Sequence, residues 1–486
     1  MDLNYAAAAP EIFLGLAICV VLLVDVFLRD HQREITYVLA MLALIGAAGV
    51  TAYFGVGEQV VTFNGSYVTD PASGVLKMFA YVALGVTFLY SREYLANNGL
   101  LKGEFFVLGL FGLLGIMIMI SAGSLLTLYL GLELLALSQY TLVAFNRDSA
   151  VSAESAMKYF VLGAIASGTL LYGISLLYGV TGTLQLGELA DQLATVQFRL
   201  DADPVNSQAV LALLALAFII VGVAFKFGAV PFHMWLPDVY QGAPTPVTLF
   251  IGSVPKLASF ALVWRVLVEG LGPMHEGGWR DMLIVLCVLS LGIGNVVAIA
   301  QTNLKRMLAY STISHVGFIF MGFIAGTERG LSAALFYTFT YVLMAAAAFG
   351  MIILLSRRGF EAERLEDFKG LNARSPWFAL VMLMIMFSMA GVPPFVGFYA
   401  KLVVLESVLD AGLVWLAAVA VLFAVIGAYY YLRVVWYMYF ADAVDHEPLI
   451  VAPDMRIVIS ANALGLLVLG IFPNGLLALC ARVLGG

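Results

Sequence analysis

The sequence predicts an all-α polytopic membrane protein with about fourteen membrane-spanning helices. Of its 486 residues, 62% are apolar and 11% are charged, and the mean hydropathy is +0.99. In soluble globular proteins about a quarter of the residues carry charge. The apolar residues also form fourteen stretches near the length of about 20 residues that a helix needs to cross a bilayer. Together these two observations exclude an ordinary soluble protein.

The fourteen spans follow one another along almost the whole chain. The first lacks a convincing small-residue cleavage site and is followed by more than a dozen others, so it is interpreted as a retained helix rather than a signal peptide. The predicted spans are residues 10–28, 35–55, 74–91, 104–121, 123–145, 154–179, 209–240, 245–268, 281–301, 305–325, 330–355, 376–410, 412–440 and 456–480.

The seventh and twelfth spans are too long and too interrupted for simple helices. Proline removes a backbone donor and clashes with the preceding helical turn. Backbone freed in this way at membrane depth is tolerated only where protein or water surrounds it. The interrupting residues are Gly228, Pro231 and Pro237 in the seventh span, and Gly391, Pro393 and Pro394 in the twelfth. Paired interruptions in two halves indicate inverted repeats with a site near the membrane midplane.

Counting back from each broken span, helices four to eight match helices nine to thirteen. Residues 134–145 (LLALSQYTLVAF) and 307–318 (MLAYSTISHVGF) share five identical positions, which in apolar helices is weaker support than the paired breaks. The predicted units are an N-terminal three-helix segment (1–103), two inverted five-helix repeats (104–268 and 269–440) and a C-terminal helix (441–486).

Ionisable residues lie inside several of these spans. A charged group at the bilayer centre costs about 2.5 to 3.5 kcal/mol on insertion scales, so it persists mainly where a protein interior or water path uses it. The five residues are Glu133, Lys158, Lys226, Lys256 and Lys401. They are therefore the first candidates for function.

Some candidates have a structural alternative. Lys158 follows Glu154 by four residues near a helix end, so an ion pair with a snorkelling side chain competes with a role in proton relay. His315 is central in the tenth span and is either a proton carrier or a hydrogen-bonded packing residue. Lys77 lies near a helix end and is interpreted as an interface anchor.

The remaining polar and sulfur-containing candidates have structural interpretations. His233 and Asp238 lie in the proline-rich segment after Lys226, where they are predicted to hold the broken helix end or its loop. Neither the cysteines nor the histidines show the paired spacing that metal, disulfide or haem sites need. The cysteines, interpreted as small buried hydrophobic residues, are Cys19, Cys287 and Cys480. The sequence thus predicts no cofactor and no metal in this chain.

Positive charge predicts the orientation of the chain. Most Lys and Arg residues fall in one set of alternate loops, which the positive-inside rule places in the cytoplasm, with both termini outside. The densely charged connection 356–375 is either a solvated loop that fixes topology or a surface for a partner. The net charge of -7 indicates no nucleic-acid surface.

Three segments together resemble the antiporter-like membrane subunits of respiratory complex I. They are FKFGAVPFHMWLPDVYQGAPTPVTLFIGSVPK (225–256), AGVPPFVGFYAK (390–401) and YLGLELLALSQY (129–140). The resemblance extends over essentially the whole chain in length, helix count and motif order. A lysine at position 401 is typical of two of the subunit types in that family.

The resemblance implies a proton-translocating subunit of an NADH-quinone oxidoreductase in a bacterial inner membrane. Glu133 would pair with Lys226, Lys256 would connect them to the second half, and Lys401 would exchange protons with the outside. NADH, FMN, iron-sulfur clusters and quinone are expected in partner subunits, and no catalysis is expected from the isolated chain. The expected partners are other membrane subunits, including homologous antiporter-like ones, and membrane lipids.

Two other functions remain open from the sequence. One is a subunit of a cation/proton antiporter or of a related membrane-bound hydrogenase, which shares these motifs. Cation coordination favours clustered carboxylates and carbonyls, and the lysine-rich interior argues mildly against it. The other is a structural membrane scaffold, which leaves the mid-membrane positions of Glu133 and Lys256 unexplained.

Overall fold

A computed structural model describes residues 3–55, 57–196, 207–443, 449 and 451–485, and nearly all of this length is helical. The α-helices are α1 (Ala9–Phe27), α2 (Glu34–Phe54), α3 (Pro71–Asn97), α4 (Gly103–Ile120), α5 (Leu125–Val143), α6 (Ala150–Thr181), α7 (Leu186–Ala194), α8 (Ser207–Phe227), α9 (Trp235–Gly242), α10 (Thr245–Gly252), α11 (Pro255–Val263), α12 (Arg280–Ala300), α13 (Leu304–Ile324), α14 (Glu328–Leu355), α15 (Leu371–Arg374), α16 (Pro376–Ala390), α17 (Val396–Asp410), α18 (Val414–Phe440), α19 (Pro453–Ile471) and α20 (Asn474–Leu484). Short 3₁₀- or π-helical turns are Asp30–Gln32, Trp264–Gly270, Gly272–Met274, His275–Trp279 and Leu365–Phe368.

The prediction of an all-α polytopic membrane protein is confirmed. Within the described ranges, thirteen helical segments are long and apolar enough to cross a membrane. The predicted twelfth span is divided into α16 and α17 by its break. The predicted fourteenth span is interrupted at Pro473, where α19 gives way to α20. The predicted C-terminal unit includes residues 444–448, 450 and 486, which lie outside the described residues.

Polar caps fix where several helices begin. The side chains of Asp70, Ser124, Ser149, Asn303 and Thr327 each accept a hydrogen bond from a backbone N–H in the first turn of the helix that follows. Such caps satisfy donors that have no partner within the helix. They therefore mark where α3, α5, α6, α13 and α14 begin.

The core lies around α10, α11, α13 and α14, whose residues are almost all buried. Helices α1, α2, α6, α18 and α19 are mostly exposed and apolar, which suits contact with lipid. Helix α4 packs on α5 as α12 packs on α13, and α6 packs on α8 and α9 as α14 packs on α16 and α17. The two inverted repeats and their boundaries stay a prediction.

Two elements were not predicted from the sequence. Strands β1 (Val60–Thr62) and β2 (Tyr67–Thr69) form an antiparallel hairpin, and α7 packs against the turn Trp264–Gly270. Both lie between spans, where hydropathy gives no signal of length or period.

Candidate functional site

Buried lysines lie at two helix breaks. Helix α8 ends at Phe227, and Gly228 follows with φ of 77°. Helix α16 ends at Ala390, and Gly391 follows with φ of 86°. Glycine adopts this left-handed conformation without the penalty that a Cβ atom brings. The predicted breaks are therefore present in both spans.

The prolines divide between the breaks and the helices after them. Pro231 lies in the first break, and Pro393 and Pro394 lie in the second. Pro237 is the exception, because it lies in the first turn of α9 rather than in the break. Its missing N–H costs little there, since donors of the first turn have no partner within the helix.

Lys226 lies buried in the last turn of α8. Its Nζ donates to Gln139 Oε1 over 3.2 Å, and the same oxygen accepts a hydrogen bond of 3.0 Å from the Tyr159 hydroxyl. The Tyr159 ring stacks on Trp235 of α9, with 4.4 Å between the ring centroids. Contacts from α5, α6 and α9 thus position the ammonium group beside the first break.

Glu133 lies partly buried on α5 and lines the same cavity as Lys226. Its carboxylate accepts a hydrogen bond from Ser167, whose Oγ is 2.9 Å from the Tyr129 hydroxyl. Between Glu133 and Lys226, both described, there is no ion pair within 4.0 Å, so the implied direct pair is not made. Gln139 takes the place of the carboxylate as the partner of the ammonium. The cavity has a volume of about 20 Å³, which is room for about one water molecule.

Lys256 is buried in the first turn of α11. Its Nζ donates to the carbonyl oxygen of Phe227 over 2.9 Å. Phe227 is the last residue of α8, so its carbonyl has no partner further along that helix. A cation at a helix C-terminus is also favoured by the helix dipole. Lys256 therefore joins the eighth span to the first break.

Lys401 makes the equivalent contact at the second break. From α17 its Nζ donates to the carbonyls of Ala390 (2.7 Å) and Met389 (3.2 Å) at the end of α16. The ammonium also lies 5.3 Å from the centre of the Phe318 ring on α13. Both breaks thus present free carbonyls to a lysine.

His315 lies buried on α13 between the two breaks. Its Nδ1 is 2.7 Å from the Tyr337 hydroxyl, and its Nε2 is 3.1 Å from the Tyr431 hydroxyl. The Tyr431 hydroxyl is in turn 2.5 Å from Ser311 Oγ. Because hydroxyls both donate and accept, this arrangement suits a packing histidine and a proton carrier alike.

Lys158 lies at the edge of the site. Its side chain is 45% exposed and pairs with Glu154 and Asp238, each at 2.9 Å. The predicted ion pair with Glu154 is present. Asp238 also pairs with Arg306 at 2.7 Å, so it joins α9 to α6 and α13. His233 is half-buried within the first break, where its Nδ1 contacts no hydrogen-bond partner.

The charged connection 356–375 is partly anchored to the helices. Glu361 pairs with buried Lys305 at 3.2 Å and accepts a hydrogen bond from Thr245 at the start of α10. Burial opposes ionisation of this carboxyl, but the charge of Lys305 and these hydrogen bonds outweigh it. They hold the pKa of Glu361 below its ordinary value. This connection is therefore not simply solvated.

Lys77 and Cys19 differ from their predicted roles. Lys77 is 1% exposed and pairs with Glu11 at 2.6 Å, with Tyr67 donating to the same carboxylate over 2.7 Å. It is a buried ion pair rather than an interface anchor, because the β1–β2 hairpin covers it. Cys19 is exposed on α1, while Cys287 and Cys480 are buried as predicted.

The sequence reasoning missed Gln139, Tyr159 and Ser167. Each is an uncharged polar residue in an apolar span, and a hydrophobicity pattern cannot distinguish such a residue from one that satisfies its own helix. Within the described ranges, no group of three His, Cys, Asp or Glu side chains is arranged to hold a metal ion. The side chains at the two breaks can bind, hold and pass on protons.

Comparison with known sequences places the chain among membrane proteins of respiration. A family model described as "NADH:quinone oxidoreductase/Mrp antiporter, TM" matches residues 122–427. NADH-quinone oxidoreductase subunit N of Thioalkalivibrio sulfidiphilus is 59% identical over 477 residues, covering 98% of this chain and 97% of that one. The same subunit of Thiobacillus denitrificans is 53% identical over 483 residues, covering 99% and 98%.

Solved structures share the fold. A chain of respiratory complex I from Thermus thermophilus matches with a TM-score of 0.81 and 31% identity, covering 97% of this chain and 99% of that one. A chain of the Mrp complex from Dietzia sp. matches with a TM-score of 0.84 at 21% identity, covering 99% and 97%. The second likeness shows the fold alone.

Proposed function

The chain belongs to the NADH:quinone oxidoreductase/Mrp antiporter family of membrane proteins, and on that premise we propose that it is a proton-translocating membrane subunit of an NADH-quinone oxidoreductase, of the subunit N type. The observation that supports this most is the placement of buried lysines at two helix breaks, with Glu133 sharing the cavity of Lys226. Charges so deep in a membrane protein are retained where they serve transport.

The proposed path has four stations. Glu133 and Lys226 take protons from the cytoplasmic side, Lys256 passes them towards the second half, and Lys401 releases them outside. Lys226 has two alternative partners, Gln139 at 3.2 Å and Glu133 across a cavity for about one water molecule. A carboxylate stabilises an ammonium more than an amide oxygen does. Exchange of partners would therefore alternate Lys226 between holding and releasing a proton.

The connection between the halves is proposed to run past His315. Its two ring nitrogens contact hydroxyls from α14 and α18, while Lys401 lies over Phe318, three residues further along α13. Each proton that crosses against 100 mV requires about 2.3 kcal/mol. In this proposal quinone reduction elsewhere in the complex supplies that work. NADH, FMN, iron-sulfur clusters and quinone belong to partner subunits, and the isolated chain catalyses no reaction.

The proposed setting is the inner membrane of a bacterium, with both termini on the periplasmic side. The expected partners are the other membrane subunits, including homologous antiporter-like subunits. Apolar side chains exposed on the outer helices suit contact with these partners and with lipid. The alternative, a cation/proton antiporter or hydrogenase subunit, is less well supported because the buried site contains three lysines and one carboxylate.

The test replaces Lys226 or Glu133 by Ala in the whole complex. Each variant is expected to assemble, because neither residue bridges two helices by an ion pair, but to lose coupled quinone reduction and proton pumping. Lys369→Ala is a matched control, since that lysine pairs with Glu366 and lies over the Tyr437 ring, away from both breaks. Full pumping in either assembled variant would refute the assignment. Co-purification of flavin and iron-sulfur subunits in mild detergent would distinguish the oxidoreductase from an antiporter.

A further inference from the structure

Arg265 is a fully enclosed arginine that the proposed path does not use. It lies in the turn Trp264–Gly270 and is 1% exposed. Its Nε donates to the Ile120 carbonyl over 3.1 Å, one Nη donates to Asp70 over 2.5 Å, and the other to Glu269 over 2.8 Å. Every nitrogen of the guanidinium is therefore engaged, and one of them closes the end of α4.

Arg433 makes a related contact from α18. Its two Nη atoms donate to the carbonyls of Ile299 (2.8 Å) and Gln301 (2.6 Å). Ile299 lies in the last turn of α12, and Gln301 directly follows that helix. Arg433 thus closes the end of α12 as Arg265 closes the end of α4.

The two arginines occupy corresponding places in the two predicted units. In that correspondence α4 matches α12, and the eighth span with Arg265 matches the thirteenth with Arg433. The end of α4 lies beside the β1–β2 hairpin, on one face of the membrane. The end of α12 lies beside Lys305 and residues 363–364, on the opposite face. An inverted relation between the units accounts for this placement.

A large cavity approaches each arginine from its own face. The cavity on the hairpin side has a volume of about 550 Å³ and is lined by Glu269, the partner of Arg265. The cavity on the opposite side has a volume of about 580 Å³ and is lined by Arg433 itself. None of the buried lysines at the breaks lines either cavity. One cavity thus reaches Arg433 directly, and the other reaches Arg265 through its partner Glu269.

We propose that Arg265 and Arg433, whose guanidinium groups cannot release a proton, are barriers that close one end of each half-path to protons. Arg265 closes the first unit towards the outside, and Arg433 closes the second unit towards the cytoplasm. A guanidinium stays protonated at any working pH, so it cannot accept a proton and pass it on. Arg265 lies between the carboxylates of Asp70 and Glu269, so a proton on one carboxylate cannot pass to the other through the guanidinium.

The consequence is that each half-path opens to one face only. A proton that reaches Lys256 cannot leave past Arg265 and has to continue towards Lys401. A proton from the cytoplasm cannot enter the second unit past Arg433. This inference rests on the proposed function, and it adds the residues that prevent a passive leak.

The experiment measures passive proton flux in proteoliposomes containing the whole complex, without NADH, after a potassium diffusion potential is imposed. Arg265→Gln and Arg433→Gln are each expected to raise the proton flux on the order of tenfold, equal to about 1.4 kcal/mol off the barrier. Arg265→Gln alone leaves two carboxylates without their cation, so the complex with it can fail to assemble. A triple variant avoids this, because it neutralises all three groups by Asp70→Asn, Arg265→Gln and Glu269→Gln. It is expected to leak as well.

Arg329→Gln is the matched control, because that arginine pairs with two carboxylates on the exposed outer surface. It is expected to leave the vesicles tight. Tight vesicles with Arg433→Gln and the triple variant would overturn the barrier role. A triple variant that stays tight but stops pumping would instead make the cluster part of the path, which also overturns it. Lys226→Ala tests the proposed function independently of the arginines. If that variant loses pumping, either of these results contradicts the barrier role and not the proposed function.

Discussion

Replacing Lys401 by arginine separates a structural from a proton-transferring role. The ammonium donates to Ala390 and Met389 at the end of α16 and lies over the Phe318 ring. A guanidinium can keep both carbonyl bonds and the ring contact. If Lys401 only closed the end of α16, Lys401→Arg would therefore work like the wild type.

The magnitude follows from the chemistry of the two cations. The ordinary pKa of arginine is about 2 to 3.4 units above that of lysine. Releasing a proton from arginine thus costs about 3 to 4.5 kcal/mol more in the same surroundings. A step that depends on that release should slow by a factor of about 100 to 2,000.

The assay compares proton pumping with NADH-driven quinone reduction in proteoliposomes for Lys401→Arg and Lys401→Met. We expect both variants to lose pumping. Lys401→Met should also lower the thermal stability, because each unsatisfied buried carbonyl costs about 1 to 3 kcal/mol. Wild-type pumping by an assembled Lys401→Arg complex would refute the reasoning and leave Lys401 a helix-capping residue.

Three further predictions concern other contacts. Gln139→Leu removes the hydrogen-bond acceptor of Lys226, so the number of protons pumped per quinone reduced should fall. Gln139→Glu should stop pumping, because its carboxylate would form a permanent ion pair with Lys226. An unchanged number of protons per quinone in both variants would contradict the role of that amide. Because the pKa of Glu361 is held below its ordinary value beside Lys305, this pair stabilises the fold above about pH 4.3 and its contribution is lost as the pH falls through the folded-state pKa. Thermal melts of Glu361→Gln should accordingly show a smaller loss of stability on acidification than the wild type, and parallel curves would argue against it. Lys77→Met leaves its carboxylate partner buried without a positive charge beside it and should cost about 3 to 5 kcal/mol. Stability should recover when that carboxylate is also neutralised, and additive losses in a double-mutant cycle would disprove the coupling.

Much of the fold and part of the site were predictable from local patterns. A helix needs about 20 apolar residues to cross a bilayer, so the hydropathy pattern located the spans. Gly228 and Gly391 marked the breaks because few other residues tolerate a positive φ. Charge in an apolar run likewise identified Lys226 and Lys401. Lys77 was misinterpreted because its distance from a helix end says nothing about the hairpin that covers it.

The sequence by itself therefore determined that this protein lies in a lipid bilayer. It also determined the order of the spans, the positions of the breaks and the ionisable residues of the interior. Only the tertiary structure decided what each of those residues contacts. The partner of Lys226 is an amide 87 residues away, and one of the two carboxylates that bind Arg265 is 195 residues away. Hydropathy and spacing act within one helix, whereas these contacts depend on how separate helices pack. The same packing kept Glu133 out of direct contact with Lys226 and placed Arg265 and Arg433 at the ends of α4 and α12.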